Sequence, residues 1–118
     1  MLNLVALGDS AAYPAGHALS GAGLTGAEAY HRYGEETAPI LARIGAEIVW
    51  RGDMQAMLIG PMTETWDHLF IARYPSTHAF LDMVTDPAYR QAVIHRQAAV
   101  RTSRLIRCQP AAPGGAFA

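Results

Sequence analysis

His95 and Arg96 stand side by side near the end of an expected helix, and Asp67 opens the strand over which that helix should pack. Imidazole titrates near neutral pH, and a histidine held by a carboxylate is a workable general base. The spacing therefore predicts a polar cluster of His95, Asp67 and Arg96, with His95 as base, Asp67 as its orienter and an arginine as anion clamp. The same residues also fit a structural role, in which Asp67 anchors the helix terminus through Arg96; structural ion pairs perturb such groups too.

Around that cluster, Trp50, Trp66, Tyr30, Tyr33 and Phe70 can line a flat pocket for an aromatic ligand, or simply pack the core and an interface. Arg73, on a strand with an inner face, can hold a carboxylate or enolate; its plainer use is a salt bridge at the sheet edge. Tyr13 and His17 lie in a Gly- and Ala-rich stretch, Gly8 to Gly26, and are the side chains suited to close over a ligand. The expected substrate-binding set is thus Trp50, Trp66, Arg73, Tyr30 and His17. Neither metal nor other cofactor is expected. His31, His68 and His78 fall on different elements with no ligand spacing, and there is no P-loop, dinucleotide fingerprint or paired Cys with zinc spacing. Cys108 reads as an inert thiol on a strand.

Composition narrows the classes further. Nine Arg, no Lys and ten acidic residues give a net charge of -1 over 118 residues. That leaves no electrostatic footprint for nucleic acid or an anionic membrane. A single Cys fits a reducing compartment. Neither a targeting segment nor an apolar run long enough for a membrane span is evident, so a soluble cytoplasmic protein is expected. Hydrophobic residues make up 51% of the chain and charged residues 16%. That excess of apolar surface is most simply hidden between subunits, in a homodimer.

The elements that position these residues follow from periodicity and caps. Leu2 to Leu7 reads as β1. Thr25, with Glu28 at the third helical position, forms a capping box. The helix that follows carries Tyr30, Tyr33, Thr37, Leu41 and Ile44 on one face, is kinked at Pro39 and stops at Gly45. Glu47 begins a long β2, running to Ile59 with a bulge or turn at Gly52 and with Ile48 and Trp50 on one side of the pleat. Trp66 to Tyr74 is β3. Ser76 caps a short helix, Asp86-Pro87 restarts it, and Ser103 to Cys108 is β4. Residues 1–109 then make one domain, with 8–26 as a loop or lid and 110–118 as a flexible tail. The order βαββαβ is that of an α+β ferredoxin-like split βαβ fold, an antiparallel sheet with helices on one face. The other face is bare and open to a second copy.

The motifs Met1-Leu2-Asn3-Leu4, Gly26-Ala27-Glu28-Ala29-Tyr30, Ile59-Gly60-Pro61, Trp66-Asp67, Arg73-Tyr74-Pro75-Ser76, Asp86-Pro87-Ala88-Tyr89 and His95-Arg96 occur here in a fixed order. In this the chain resembles the bacterial family called domain of unknown function thirteen-thirty, a branch of the dimeric α/β-barrel superfamily. The resemblance runs from about Met1 to Arg107 and implies a ferredoxin-like dimer. It implies no activity: the superfamily includes cofactor-free monooxygenases, muconolactone isomerases and haem-dependent enzymes, and fold alone does not fix function. Two functions stay open. One is a cofactor-free enzyme performing proton transfer or oxygenation on a small aromatic or polyketide-like molecule. The other is a non-catalytic dimeric binding or structural module.

Overall fold

The structure, a computed structural model, describes residues 1–116. It is an α+β fold with strands β1 (Leu2–Leu7), β2 (Glu47–Gly52), β3 (His68–Arg73) and β4 (Val100–Ile106), and helices α1 (Gly26–Arg43), α2 (Thr77–Thr85) and α3 (Pro87–Ala99). All strand pairs are antiparallel and the sheet is open, in the order β2-β3-β1-β4. Among the described residues no closed barrel forms within one chain. No helix among the described residues is long and apolar enough to cross a membrane. Residues 110–116 form neither helix nor strand, and the last two positions of the expected tail lie outside the described residues.

The helix ends are set by side chains that satisfy otherwise unpaired backbone groups. Thr25 and Glu28 form the capping box of α1: the Glu28 backbone N–H donates to Thr25 Oγ1 at 3.1 Å, and the Thr25 N–H donates to the Glu28 carboxylate at 2.8 Å. Asp86 ends α2 and caps α3, with Pro87 in the first turn. The Ala88 N–H that Asp86 accepts, and the Arg43 guanidinium beside it, hold its carboxyl below the usual carboxylate range. Ser76 Oγ accepts from the Ala79 N–H at 3.0 Å. Ser76→Ala is expected to lower stability by about 1 kcal/mol, read as a lower denaturant midpoint at unchanged slope. Pro39 lies inside α1, which continues through it to Arg43.

The strand register corrects the reading of β2. Ile48 lies opposite Ala72, but Trp50 lies opposite Ile71, so Val49 is an extra residue on this edge strand. The bulge therefore falls at Val49 rather than at Gly52, and Ile48 and Trp50 face opposite sides. β2 also ends at Gly52 instead of running to Ile59. β3 begins only at His68, so the apolar run Met54 to Ile59 has no ladder partner and leaves the sheet. Leu58 and Ile59 in that segment are 91% and 95% exposed.

The register also sorts the faces. His68, Phe70 and Ala72 point to the helices, since Tyr30 of α1 stacks on His68 at 4.9 Å. Leu69 and Ile71 point the other way, opposite Leu4 and Leu2 of β1, and Leu2 lies opposite Ile106 of β4. With Trp50 these make a largely apolar sheet face on which Trp50, Ile71 and Ile106 are exposed, bounded by Arg104, which lies opposite Leu4 and over the Trp66 ring. On the helix side α1 and α3 run antiparallel, because Gly26 adjoins Ala99 and Arg43 pairs with Asp86. Their close approach rests on small residues: Ala29 and Ala92 are 0% exposed, and Ala98 and Ala99 are nearly so.

Candidate functional site

His95 sits in the last turns of α3 among the buried Ala92, Ala98 and Ala99. Small neighbours let both α1 and the loop after β1 reach its ring. From α1, Glu36 Oε1 lies 3.1 Å from His95 Nε2. From the loop, the Tyr13 hydroxyl lies 2.7 Å from His95 Nδ1. A carboxylate only accepts hydrogen bonds, so Nε2 carries the proton toward Glu36. In the neutral ring Nδ1 then accepts, and Tyr13 donates to it. The result is a carboxylate–imidazole–phenol chain in which the His95 side chain is 10% exposed and that of Glu36 48%. Burial raises the Tyr13 phenol above its ordinary pKa, with the Arg32 charge opposing and the Glu36 charge adding to the rise. Tyr13 is thereby kept as a proton donor.

The loop that delivers Tyr13 is fastened at its root. Gly8 N–H donates to Ala99 O at 2.9 Å, Ala12 N–H to Ala98 O at 2.8 Å, and Ala11 N–H to Leu24 O at 2.7 Å. Its remainder folds into tight turns, and His17 stacks on Tyr13 with ring centroids 4.8 Å apart and 15° between planes. The His17 ring stands edge-on to His95 at 6.1 Å. The Leu19 N–H donates to His17 Nδ1 at 3.1 Å.

The expected Asp67–His95–Arg96 cluster is not what the side chains form. Asp67 Oδ2 accepts from the Leu7 N–H at 2.7 Å and so joins β1 to the start of β3. Arg96 donates to Ser103 Oγ at 3.2 Å. His95, one residue earlier, points about 100° away around the helix, and its carboxylate is Glu36. The substrate-binding set is likewise dispersed. Of Trp50, Trp66, Arg73, Tyr30 and His17, the last alone reaches the His95 ring. Trp50 lies on the uncovered sheet face. Trp66 is buried, with the Arg104 guanidinium 5.5 Å above its ring, beside a cavity of about 70 Å³. Arg73 pairs with Glu47. Tyr30 stacks on His68, next to the Tyr33 and Tyr89 hydroxyls that meet at 3.3 Å. A larger cleft, about 440 Å³, lies at the junction of α2 and α3 between Arg43, Asp82 and Asp86, away from His95. Among the described residues no group of three or more His, Cys, Asp and Glu is placed to hold a metal ion.

Residues 15–107 match the family model described as a domain of unknown function (DUF1330). The chain belongs to this family. His17, Arg32, Glu36 and His95 all fall within the matched DUF1330 region, and Tyr13 lies just ahead of it. The chain is similar to a protein of unknown function from Rhodopseudomonas palustris, whose crystal structure is 54% identical and superimposes with a TM-score of 0.87, covering 95% of this chain and 81% of that one. A crystal structure of the methylated form of that protein gives 54% identity and a TM-score of 0.89, covering 97% and 81% of the two chains. No curated protein matches the sequence.

Proposed function

We propose that this DUF1330 protein is a cofactor-free proton-transfer enzyme acting on a small organic molecule, with His95 as general base, Glu36 as its orienter and Tyr13 as a proton donor carried on the loop. The observation that carries this is the 2.7 Å contact of Tyr13 with Nδ1 on a ring whose other nitrogen faces Glu36. Such a chain relays one proton without any bound group. When the loop parts, the Nδ1 lone pair that Tyr13 occupies becomes free to take a substrate proton. The stacked Tyr13 and His17 rings offer a flat wall suited to an aromatic substrate.

The same reading takes the fold as ferredoxin-like, on the βαββαβ order and the strand order β2-β3-β1-β4, and the working form as a homodimer. The support for the dimer is the apolar face of Leu2, Leu4, Trp50, Leu69, Ile71 and Ile106. A two-fold pairing of that face with itself would cover it. A second reading, a non-catalytic module in which Tyr13 only latches the loop, is favoured by the three backbone bonds that hold the loop root.

Kemp elimination of 5-nitrobenzisoxazole separates them, because it asks only for a placed base: one ring C–H proton is removed as the N–O bond breaks and a cyanophenolate leaves. The protein is expected to accelerate it over buffer, and His95→Gln to lower the rate about 100-fold, the low end for a positioned general base. Equal rates for the folded variant and the natural chain would leave the latch.

A further inference from the structure

Besides the imidazole and its carboxylate, three groups stand around His95, and each has its chemistry fixed by its surroundings. The first is His17. Its Nδ1 accepts the Leu19 N–H, so in the neutral ring the proton sits on Nε2 and that nitrogen is a hydrogen-bond donor. The ring is held in place by its stack on Tyr13. The second is the Tyr13 hydroxyl, a second donor. The third is Arg32, one helical turn before Glu36 on α1. Its charge acts on the Tyr13 phenol, yet it makes none of the ion pairs found among the described residues. The site therefore combines one base, two neutral donors and one cation that forms no ion pair among the described residues, though its charge acts on the Glu28 carboxylate one turn back on the same helix.

We propose that the substrate is a small enolisable 2-oxo acid, that the reaction is its keto–enol tautomerisation, and that His17 Nε2 is a catalytic donor to the carbonyl oxygen while Arg32 holds the carboxylate. The proposal rests on the reading of His95 as a base and adds to it the substrate class and two residues. His95 Nδ1 takes the proton from the carbon next to the carbonyl. The C–H electron pair becomes the new C=C bond, and the carbonyl π pair moves onto oxygen. That oxygen is held by the His17 N–H, which stabilises charge where it develops. The proton then passes from the imidazolium to the oxygen, giving the enol, and the reverse sequence restores the keto form. No electrons leave the substrate and no co-reactant enters.

The probe is phenylpyruvate in D2O, with exchange of its C3 protons followed by NMR and, each rate taken relative to buffer, compared with 1-phenylpropan-2-one, which keeps the benzylic CH2 between ring and carbonyl but has no carboxylate. The natural chain should exchange the acid in preference to the ketone. His17→Phe keeps a ring to stack on Tyr13 but removes the donor, and should lower kcat about 100-fold with a smaller change in KM. Arg32→Gln should raise KM for phenylpyruvate about tenfold and abolish the preference over the ketone. A natural chain that eliminates nitrobenzisoxazole but leaves phenylpyruvate unexchanged overturns the substrate class and keeps the base. One that does neither overturns both. An unchanged kcat in His17→Phe removes His17 from the chemistry, and equal use of acid and ketone by the natural chain removes Arg32.

Discussion

Ile71→Glu is expected to give a folded monomer of 12.7 kDa, and the natural chain, as the proposed dimer, to sediment at twice that mass at micromolar concentration. Ile71 occupies the middle of the uncovered sheet face, between Leu2 of β1 and Trp50 of β2. It is 38% exposed in the single chain, and Trp50 beside it and Ile106 on the far side of Leu2 are 50% and 46% exposed. In one chain a glutamate there reaches water and the fold tolerates it. In a two-fold dimer two carboxylates are buried near one another without partners. Uncompensated buried charge costs about 3–5 kcal/mol, which weakens the dimer by roughly 100- to 5,000-fold. A natural chain that sediments as a monomer, or a variant that dimerises as before, would remove the dimer from the proposed function.

Gly26→Ala is expected to destabilise the fold by about 3 kcal/mol, the upper part of the range for overpacking. A Cβ at Gly26 would sit against the carbonyl oxygen of Gly8, well inside van der Waals contact, 2.9 Å from Ala99 O and 3.0 Å from Gly8 N. All three obstacles are backbone, and Gly8 and Ala99 are already bonded to each other, so no side chain can rotate aside. The reason for glycine is thus a three-way approach of α1, the loop root and the end of α3. Any shift there moves the loop that places Tyr13, so the nitrobenzisoxazole rate should fall along with the melting temperature. Gly34 is the control: its Cβ would meet nothing within 4 Å, and in a helix interior Gly34→Ala should stabilise by about 1 kcal/mol.

Local signals in the sequence led to local structure. Thr25 with Glu28, Ser76, and Asp86-Pro87 marked helix boundaries that the hydrogen bonds bear out, because a cap is decided within four residues. The length and register of β2 were not legible in the same way. An apolar run such as Met54 to Ile59 suits a strand, but whether it becomes one depends on whether β3 offers it a ladder, and β3 starts too late. The extra residue Val49 likewise emerges only from pairing with β3. Glu36 was hidden for a related reason. By periodicity it belongs to the polar side of α1, next to Glu35, and nothing in its spacing distinguishes the carboxylate that meets His95 from the one that faces His31. The difference is made by the antiparallel packing of α1 on α3. Asp67, the nearer guess in sequence terms, is taken up by the Leu7 N–H. Tyr13 could be singled out as a residue to close over the body of the domain, since it is one of few large side chains in a Gly- and Ala-rich stretch; its partner could not.

The strand order has a consequence for how the chain is made. β1 is central, yet Leu2 pairs with Ile71 on one side and Ile106 on the other. At a synthesis rate of roughly 5–20 residues per second, β1 leaves the ribosome about 5–20 s before β4 does. Until β3 emerges, about two-thirds of the way through that interval, the segment Leu-Asn-Leu-Val-Ala-Leu has backbone donors and acceptors on both edges and a partner on neither, and until β4 emerges one edge stays open, the condition under which a nascent strand pairs with the wrong chain. The sheet cannot grow outward from its first strand as it is translated. It must close around β1 once β4 has emerged, so the first-made strand of the sheet is among the last to be locked.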